Sequence, residues 1–309
     1  MSEENPKVSV IICAYTMERL NDIHEAVNSV LTQTLKPHEV ILAVDHNEEL
    51  RDKLQNKLPQ EVKLILNDGN NRGAVATDNV GIANSSGDFI AFIDDDAIAE
   101  KGWLENLVKH YNDPTIVAVG GKLVSVWDEA RPSWFPEELD WIVGGTYKGH
   151  PEIQTQVRNL ILCNMSVKKQ VFKAVGIFAT ELGRSKNWGT GAESEFFLRM
   201  KQQQADAIIL YEPDAIVYHK VPPKRTSLKY VVLRSYNEGF HKAKIEKTSA
   251  DLSQNPLSME YTYLRYLLIT AIPKRLKGFY KRGSLSQAGV IMISIAATGT
   301  GYLIGKVRR

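Results

Sequence analysis

The chain has 309 residues, more than one average domain and within reach of one large α/β domain with an appendage. Its 38 basic and 36 acidic side chains nearly cancel, which excludes a global field for nucleic acid, although the C-terminal third is locally basic. Two cysteines, Cys13 and Cys163, exclude a disulfide framework or a Cys-based zinc site and suit a reducing, cytosolic compartment.

The N-terminal heptad is polar and acidic and lacks the apolar core of a signal peptide, so this end is expected to stay unexported. Residues 7–14 (KVSVIICA) form a β-branched run, followed by the loop Tyr15-Thr16-Met17-Glu18-Arg19. Over residues 20–35, Ile23, Ala26, Val27, Val30 and Leu31 recur at helical spacing until Pro37 breaks the pattern. Residues 39–44 predict a second strand with Asp45-His46-Asn47 at its carboxyl end, and a polar helix follows over 48–58. A third strand at 62–66, the loop Asn70-Asn71-Arg72-Gly73 and a helix at 74–83 repeat the unit. Next comes an apolar run, Phe89-Ile90-Ala91-Phe92-Ile93, that ends abruptly in Asp94-Asp95-Asp96 and reads as a strand buried on both faces. The alternation predicts an α/β fold with a mostly parallel central sheet and helices on both faces.

A helix is predicted over 97–110 and a strand over 115–119, where Gly120-Gly121 ends the regular alternation. Residues 125–160 are rich in Trp, Pro and Gly, a composition suited to an irregular wall beside a site. A short helix is expected at 167–175, and Gly191-Ala192-Glu193-Ser194-Glu195 opens another. Strands are predicted at 207–211 and 215–218, the second ending at His219, and the chain becomes helical and basic from Thr226. Two apolar helices follow, one around 261–272 and one in the uncharged stretch 284–305. Some twenty uncharged residues just suffice to span a bilayer core. A membrane span, an in-plane helix and a bundle or dimer helix all remain open, and with them a homo-oligomer.

Three adjacent carboxylates repel one another unless a cation or a hydrogen-bonded ligand compensates them, and a divalent metal is the economical partner. The bland alternative is an acidic turn capping the next helix. Asp45 at a strand end can bond a base or ribose, and a Gly-containing loop opening a helix offers N–H groups to phosphate. No Gly-x-Gly-x-x-Gly follows the first strand and no Gly-Lys-Ser/Thr loop exists, which excludes a dinucleotide fingerprint and a P-loop.

The opening Val8 to Tyr15, Asp45, Asn71-Arg72-Gly73 with Asn79, the Gly87 to Asp96 stretch, Asn164-Met165-Ser166, Glu193-Ser194-Glu195 and the run from Asp214 to His219 with Arg225 together resemble family 2 glycosyltransferases of the GT-A fold. The resemblance covers roughly residues 7–240. It is strongest toward prokaryotic enzymes of lipid-linked glycan assembly, including archaeal glucosyl-dolichyl-phosphate glucuronosyltransferases. It implies that Ala14 and Asp45 contact the uridine of a UDP-sugar, with Tyr15, Arg72, Gly73, Asn79 and Arg225 in the donor-binding set. By the same resemblance Asp94 and Asp95 are ribose- and diphosphate-side acids, while Asp96 and His219 hold Mn²⁺ or Mg²⁺. Glu193 is then the general base, and Asn164, Trp188 and Glu195 lie on the acceptor side.

Two positions depart from the family pattern. Ala192 replaces an acid before the base, and Asp78 replaces an Arg before Asn79, which leaves Arg72, Arg158 or Arg225 to supply the missing cation. The expected organisation is a catalytic domain over 1–250, with a nucleotide-sugar half to 124 and an acceptor half from 125, then a membrane-associating helical tail over 251–309. The expected activity is metal-dependent, inverting transfer of a hexose or hexuronic acid from a UDP-sugar to a lipid-linked (polyprenyl or dolichyl phosphate) saccharide at the cytosolic membrane face. A soluble or protein-linked glycan acceptor, or a non-catalytic nucleotide-sugar-binding scaffold, are the rival readings.

Overall fold

The computed structural model describes residues 6–183, 191–248 and 257–307. The chain divides into two compact units, one of Met1–Leu123 with Glu152–Tyr218 and the other of Val124–Pro151 with His219–Arg309.

The first unit is built on a sheet of β1 (Val8–Ala14), β2 (Glu39–Asp45), β3 (Val62–Asn67), β4 (Phe89–Asp94), β5 (Ala97–Ala99), β6 (Ile116–Trp127), β7 (Thr155–Gln156), β8 (Met165–Lys168) and β9 (Ile208–Val221). Their order is β3-β2-β1-β4-β8-β6-β9-β5, with β7 on β9. The four strands from β3 to β4 are parallel, whereas β8 runs antiparallel to both β4 and β6, and β7 antiparallel to β9. The chain therefore moves outward from β1 to β3 and returns to pair β4 on the other side of β1. That reversal creates a crevice at the carboxyl ends of β1 and β4, where open α/β sheets bind ligands.

Strand periodicity builds two cores from one sheet. In β1, Val8, Val10, Ile12 and Ala14 face one layer and Ile11 the other; in β4, Ala91 and Ile93 oppose Ile90 and Phe92 in the same way. The first layer is closed by α1 (Leu20–Leu31) through Ile23, Val27 and Val30, with α2 (Glu48–Gln55) adding Leu50 and Leu54. The second takes Ile82 of α3 (Ala74–Ala83). Helix α4 (Trp103–Val108) joins the first layer, and α5 (Asp140–Val143) lies in the second unit. Helices α6 (Lys169–Val175) and α8 (Ala192–Gln203) complete the second layer, while α7 (Thr180–Gly183) bridges them in sequence. Phe92 meets Phe172 and Phe178 edge-on at 6.2 and 5.8 Å, and burying a side chain of this size stabilises by about 1.5–3 kcal/mol.

Four sequence expectations are corrected. No helix begins at Ala97: residues 97–99 form β5, and Glu100 N–H donates to Ile216 O at 3.0 Å, so a strand partner captures this segment and the helix waits until Trp103. The acids therefore cap no following helix. Strand β6 continues through Gly120-Gly121 to Trp127, and β9 is one strand across Pro213, because Glu212 Oε1 accepts from Asp214 N–H at 3.0 Å and holds the chain extended there. Residues 165–168 are strand, with the helix starting only at Lys169, since β4 and β6 flank this segment and supply its hydrogen bonds.

In the second unit, α9 (Leu228–Thr248), α10 (Ser258–Tyr266), a π-helical turn at Leu267–Ala271, α11 (Ile272–Lys277) and α12 (Ser284–Val307) follow in order. Phe135, Leu139 and Val143 pack with Val231, Leu267 and Ile291 in a separate core. Helices α9 and α12 lie in close contact because glycine removes the side chain at both crossings. A Cβ on Gly239 would stand 1.9 Å from Thr298 O, and one on Gly301 1.9 Å from Tyr236 O. The Gly301 to Gly305 spacing is thus used inside the chain. Ser235 and Ser294 hydroxyls meet at 2.8 Å between the same helices. The 24-residue α12 is long and apolar enough to cross a membrane, and its outward face leaves Leu285, Met292 and Leu303 exposed.

Candidate active site

Strand ends deliver the acids. Asp45 closes β2, and its carboxylate is fully engaged: Oδ2 accepts Gly73 N–H at 2.8 Å, and Oδ1 accepts Asn67 Nδ2 at 3.1 Å while lying 2.7 Å from His46 Nδ1. Gly73 is the entry to α3 at φ +97°, a conformation that a side chain would strain. Asp45 and Gly73 are therefore brought together, whereas Arg72 stands exposed beside them. Ala14 is buried at the end of β1, and Tyr15 is half exposed just beyond it.

Asp94, Asp95 and Asp96 leave β4 in a tight turn, with Asp95 and Asp96 both buried. Their compensating cation is Arg19, which sequence reasoning missed: Nη1 donates to Asp95 Oδ1 at 2.5 Å and Nη2 to Asp96 Oδ2 at 2.7 Å. Burial works against the Arg19 charge, yet Asp96 and Asp95 hold the guanidinium more firmly protonated than usual. Burial also pushes the Asp95 carboxyl up to about 6, against the pull of Arg19. Asp95 Oδ2 has no hydrogen-bond partner among the described residues. The available signal for Arg19 was its place in the loop after β1, the strand next to β4.

Asp94 turns elsewhere. It pairs with Cys13 in the β1–β4 register, and Asp94, Cys163 and His219 offer ligand atoms that all lie within 4.8 Å of one another. His219 is the next residue after Tyr218 on the unbroken strand β9. This group is a candidate metal-binding cluster. Burial, with Asp94 beside it, pushes the Cys163 thiol well above its ordinary range in the metal-free protein, and the Asp94 oxygen and a His219 ring nitrogen are the harder donors of the three. A carboxylate oxygen and an imidazole nitrogen are donors that Mn²⁺ accepts, and Mg²⁺ takes the carboxylate. Of the two residues expected at the metal, His219 joins this group and Asp96 faces Arg19.

Asp78 is buried on α3, with Cys13 Sγ donating to its Oδ1 at 2.8 Å, and it feels the charges of both Asp94 and Glu193. Burial first, then those two acids, push its carboxyl up to about 8. Its ordinary value is 3.8, so between pH 4 and 8 unfolding releases a proton and native stability falls as pH rises, at up to about 1.4 kcal/mol per pH unit. Asp78→Asn keeps the acceptor for Cys13 and removes the titration. Its melting temperature, measured without divalent cation, should exceed that of wild type by a margin that widens from pH 5 to pH 8. A constant margin would mean that Asp78 is ionised in the folded protein.

Glu193 is half-buried in the first turn of α8, where the helix N-terminus favours negative charge. Glu195 is bound to Arg199 at 2.7 Å, and Arg199 also donates to Ile177 O at 2.9 Å. Asn79 sits in the interior, exchanging hydrogen bonds with the Phe178 backbone at 2.9 and 3.1 Å. Asn164 receives Trp103 Nε1 at 2.8 Å and donates to Lys122 O and Ala215 O, each at 2.9 Å, tying α4 to β6 and β9. In the second unit, Arg225 donates to Val143 O at 3.0 Å. Arg158 donates to Asn159 Oδ1 at 3.2 Å, and Trp188 lies outside the described residues.

The model of glycosyl transferase family 2 matches residues 9–176. A glucosyl-dolichyl phosphate glucuronosyltransferase from Haloferax volcanii is 37% identical over 306 residues, covering 97% of this chain and 96% of the relative. The chain belongs to glycosyl transferase family 2. Among solved structures, this glycosyltransferase is similar to the mannosyltransferase PcManGT from Pyrobaculum calidifontis in complex with GDP-Man and Mn²⁺, with a TM-score of 0.60 and 15% identity over 97% of this chain and 88% of that one. It is also similar to GalNAc-T7 with UDP, GalNAc and Mn²⁺, with a TM-score of 0.55 and 17% identity over 85% of this chain. The chain spans 54% of the length of GalNAc-T7 in that structure. These likenesses establish the GT-A-like α/β fold, with the apolar C-terminal helix in addition.

Proposed function

We propose that this glycosyltransferase moves a hexose or hexuronic acid from a UDP-sugar to a saccharide carried on polyprenyl or dolichyl phosphate, with inversion, at the cytosolic membrane face. The observation that carries the reading is geometric: Asp94, at the end of β4, offers a ligand atom within 4.8 Å of those of Cys163 and His219. The influence of both Asp94 and Glu193 on the buried Asp78 carboxyl supports it, since it keeps the acid suited to be the base near that group. Asp45, Gly73 and the α3 N-terminus shape the nucleotide end. Asp94 and His219 would hold Mn²⁺ or Mg²⁺, which when bound neutralises charge on the departing nucleoside diphosphate.

Glu193 takes the proton from the acceptor hydroxyl as that oxygen attacks the anomeric carbon. A single base and no covalent intermediate give one displacement, hence inversion. The lipid-linked acceptor is supported by the end-to-end similarity to a relative named for glucosyl-dolichyl phosphate, and by the exposed apolar face of α12.

The test is UDP release by purified protein with Mn²⁺ and a panel of UDP-sugars, with and without a glucosyl polyprenyl phosphate. One UDP-sugar should support turnover that rises at least tenfold when the lipid-linked saccharide is added. Equal stimulation by a soluble oligosaccharide would replace the acceptor assignment, and absence of any UDP release would favour a binding scaffold.

A further inference from the structure

The second unit contains a cavity of about 440 Å³ between the residue 137–148 segment and the α11–α12 corner. Five basic and two acidic side chains line it. Both acids are already matched. Glu137 Oε2 is 2.8 Å from Lys148 Nζ, and the buried Glu138 carboxylate is held by Arg275, whose Nη1 donates to Oε1 at 2.8 Å. Lys274, Lys277 and Lys281 stand around the same cavity with no carboxylate partner among the described residues. Three uncompensated ammonium groups facing one concavity make it a receptor for a multiply charged anion. The volume falls in the range of small-ligand sites and exceeds what a lone phosphate fills.

The surroundings say what else the anion carries. Leu276, Phe279 and Leu285 are 49%, 66% and 55% exposed on the segments that form the corner, and Tyr280 of the lining itself is 75% exposed. One exposed aromatic in the lining and three exposed apolar side chains on the segments that carry a basic cavity suit an amphiphile, with its charged head inside and its chain leaving along these segments. A free sugar nucleotide would have no use for that apolar surface.

We infer that this cavity holds the phosphate headgroup of a lipid. The headgroup comes either from the lipid-linked acceptor, an assignment that rests on the function proposed above, or from the surrounding phospholipid, which does not depend on it. The acceptor source makes the cavity an acceptor-positioning site, and the phospholipid source makes it a membrane anchor.

The experiment is co-sedimentation of the full chain with phosphatidylcholine vesicles containing either a polyprenyl phosphate or phosphatidylglycerol, matched in surface charge. Three variants accompany wild type. K274Q/K277Q/K281Q removes the charges. T270W fills the cavity from its exposed lining residue Thr270 and leaves every charge in place. K53Q/K57Q/K101Q removes three exposed lysines of the first unit. The cavity triple should bind about a hundredfold more weakly, at roughly a fivefold loss per lysine. T270W should lose at least tenfold, and the first-unit triple should bind as wild type does. Tighter binding to polyprenyl phosphate than to phosphatidylglycerol identifies the acceptor, and equal binding identifies the phospholipid; either supports the cavity. Unimpaired binding by T270W would reduce the lysines to a diffuse surface field and overturn the inference, as would equal losses in both lysine triples. Vesicle binding without any lipid-dependent UDP release would sink the proposed function and leave the cavity standing.

Discussion

Replacing Glu193 with Gln is expected to slow sugar transfer by a factor on the order of a hundred or more while leaving donor affinity nearly unchanged. The substitution keeps size and hydrogen-bonding geometry but removes the one property that the proposed step uses, the ability to accept a proton from the attacking hydroxyl. General bases contribute about 10²–10⁴ in rate, and the loss falls on the chemical step. Glu193 sits in the first turn of α8, whose Phe196, Phe197 and Met200 are locked into the second core layer, so the exchange should not move the helix. Single-turnover transfer with saturating UDP-sugar, alongside a donor titration, separates the two effects. A variant that transfers at the wild-type rate once donor is saturating would move Glu193 to the donor site.

Asp94→Asn is expected to abolish the response to Mn²⁺ and to cost roughly a thousandfold in turnover, since neutralising a departing diphosphate is worth several kcal/mol. Asp94 and His219 are the donors that fit a cation in the cluster, and an amide is a far poorer ligand than a carboxylate. The measurement independent of activity is the rise in melting temperature on adding Mn²⁺, which wild type should show and Asp94→Asn should not. Asp96→Asn is the informative companion. Its carboxylate engages Arg19, so that variant should lose stability without cation yet retain the Mn²⁺ shift. The reverse outcome would assign the metal to Asp96 after Arg19 has moved aside.

How much of this was legible in advance depends on the range of the interaction responsible. The order of strands and helices to residue 94 could be read directly, because alternation in β1, β2 and β4 and the spacing of Ile23, Val27 and Val30 are local patterns that a two-layered sheet must satisfy. The apolar run ending in three acids likewise marked the site, since unmatched charge at a strand end demands a partner. The sequence could not name that partner. Arg19 reaches Asp95 and Asp96 only because β1 and β4 are neighbours, a pairing across 76 residues that no spacing rule encodes. The same reason applies at residue 97, where the helical pattern yields to a strand because β9 is there to accept its hydrogen bonds. It applies again to the C-terminal helix. Composition established that 284–305 is apolar and Gly-spaced; only the fold decided that Gly301 receives the Tyr236 backbone of α9, because a glycine's bare surface is complementary to whatever backbone packing brings to it. Local propensity is a property of a segment, whereas the choice of partner is a property of the packed chain.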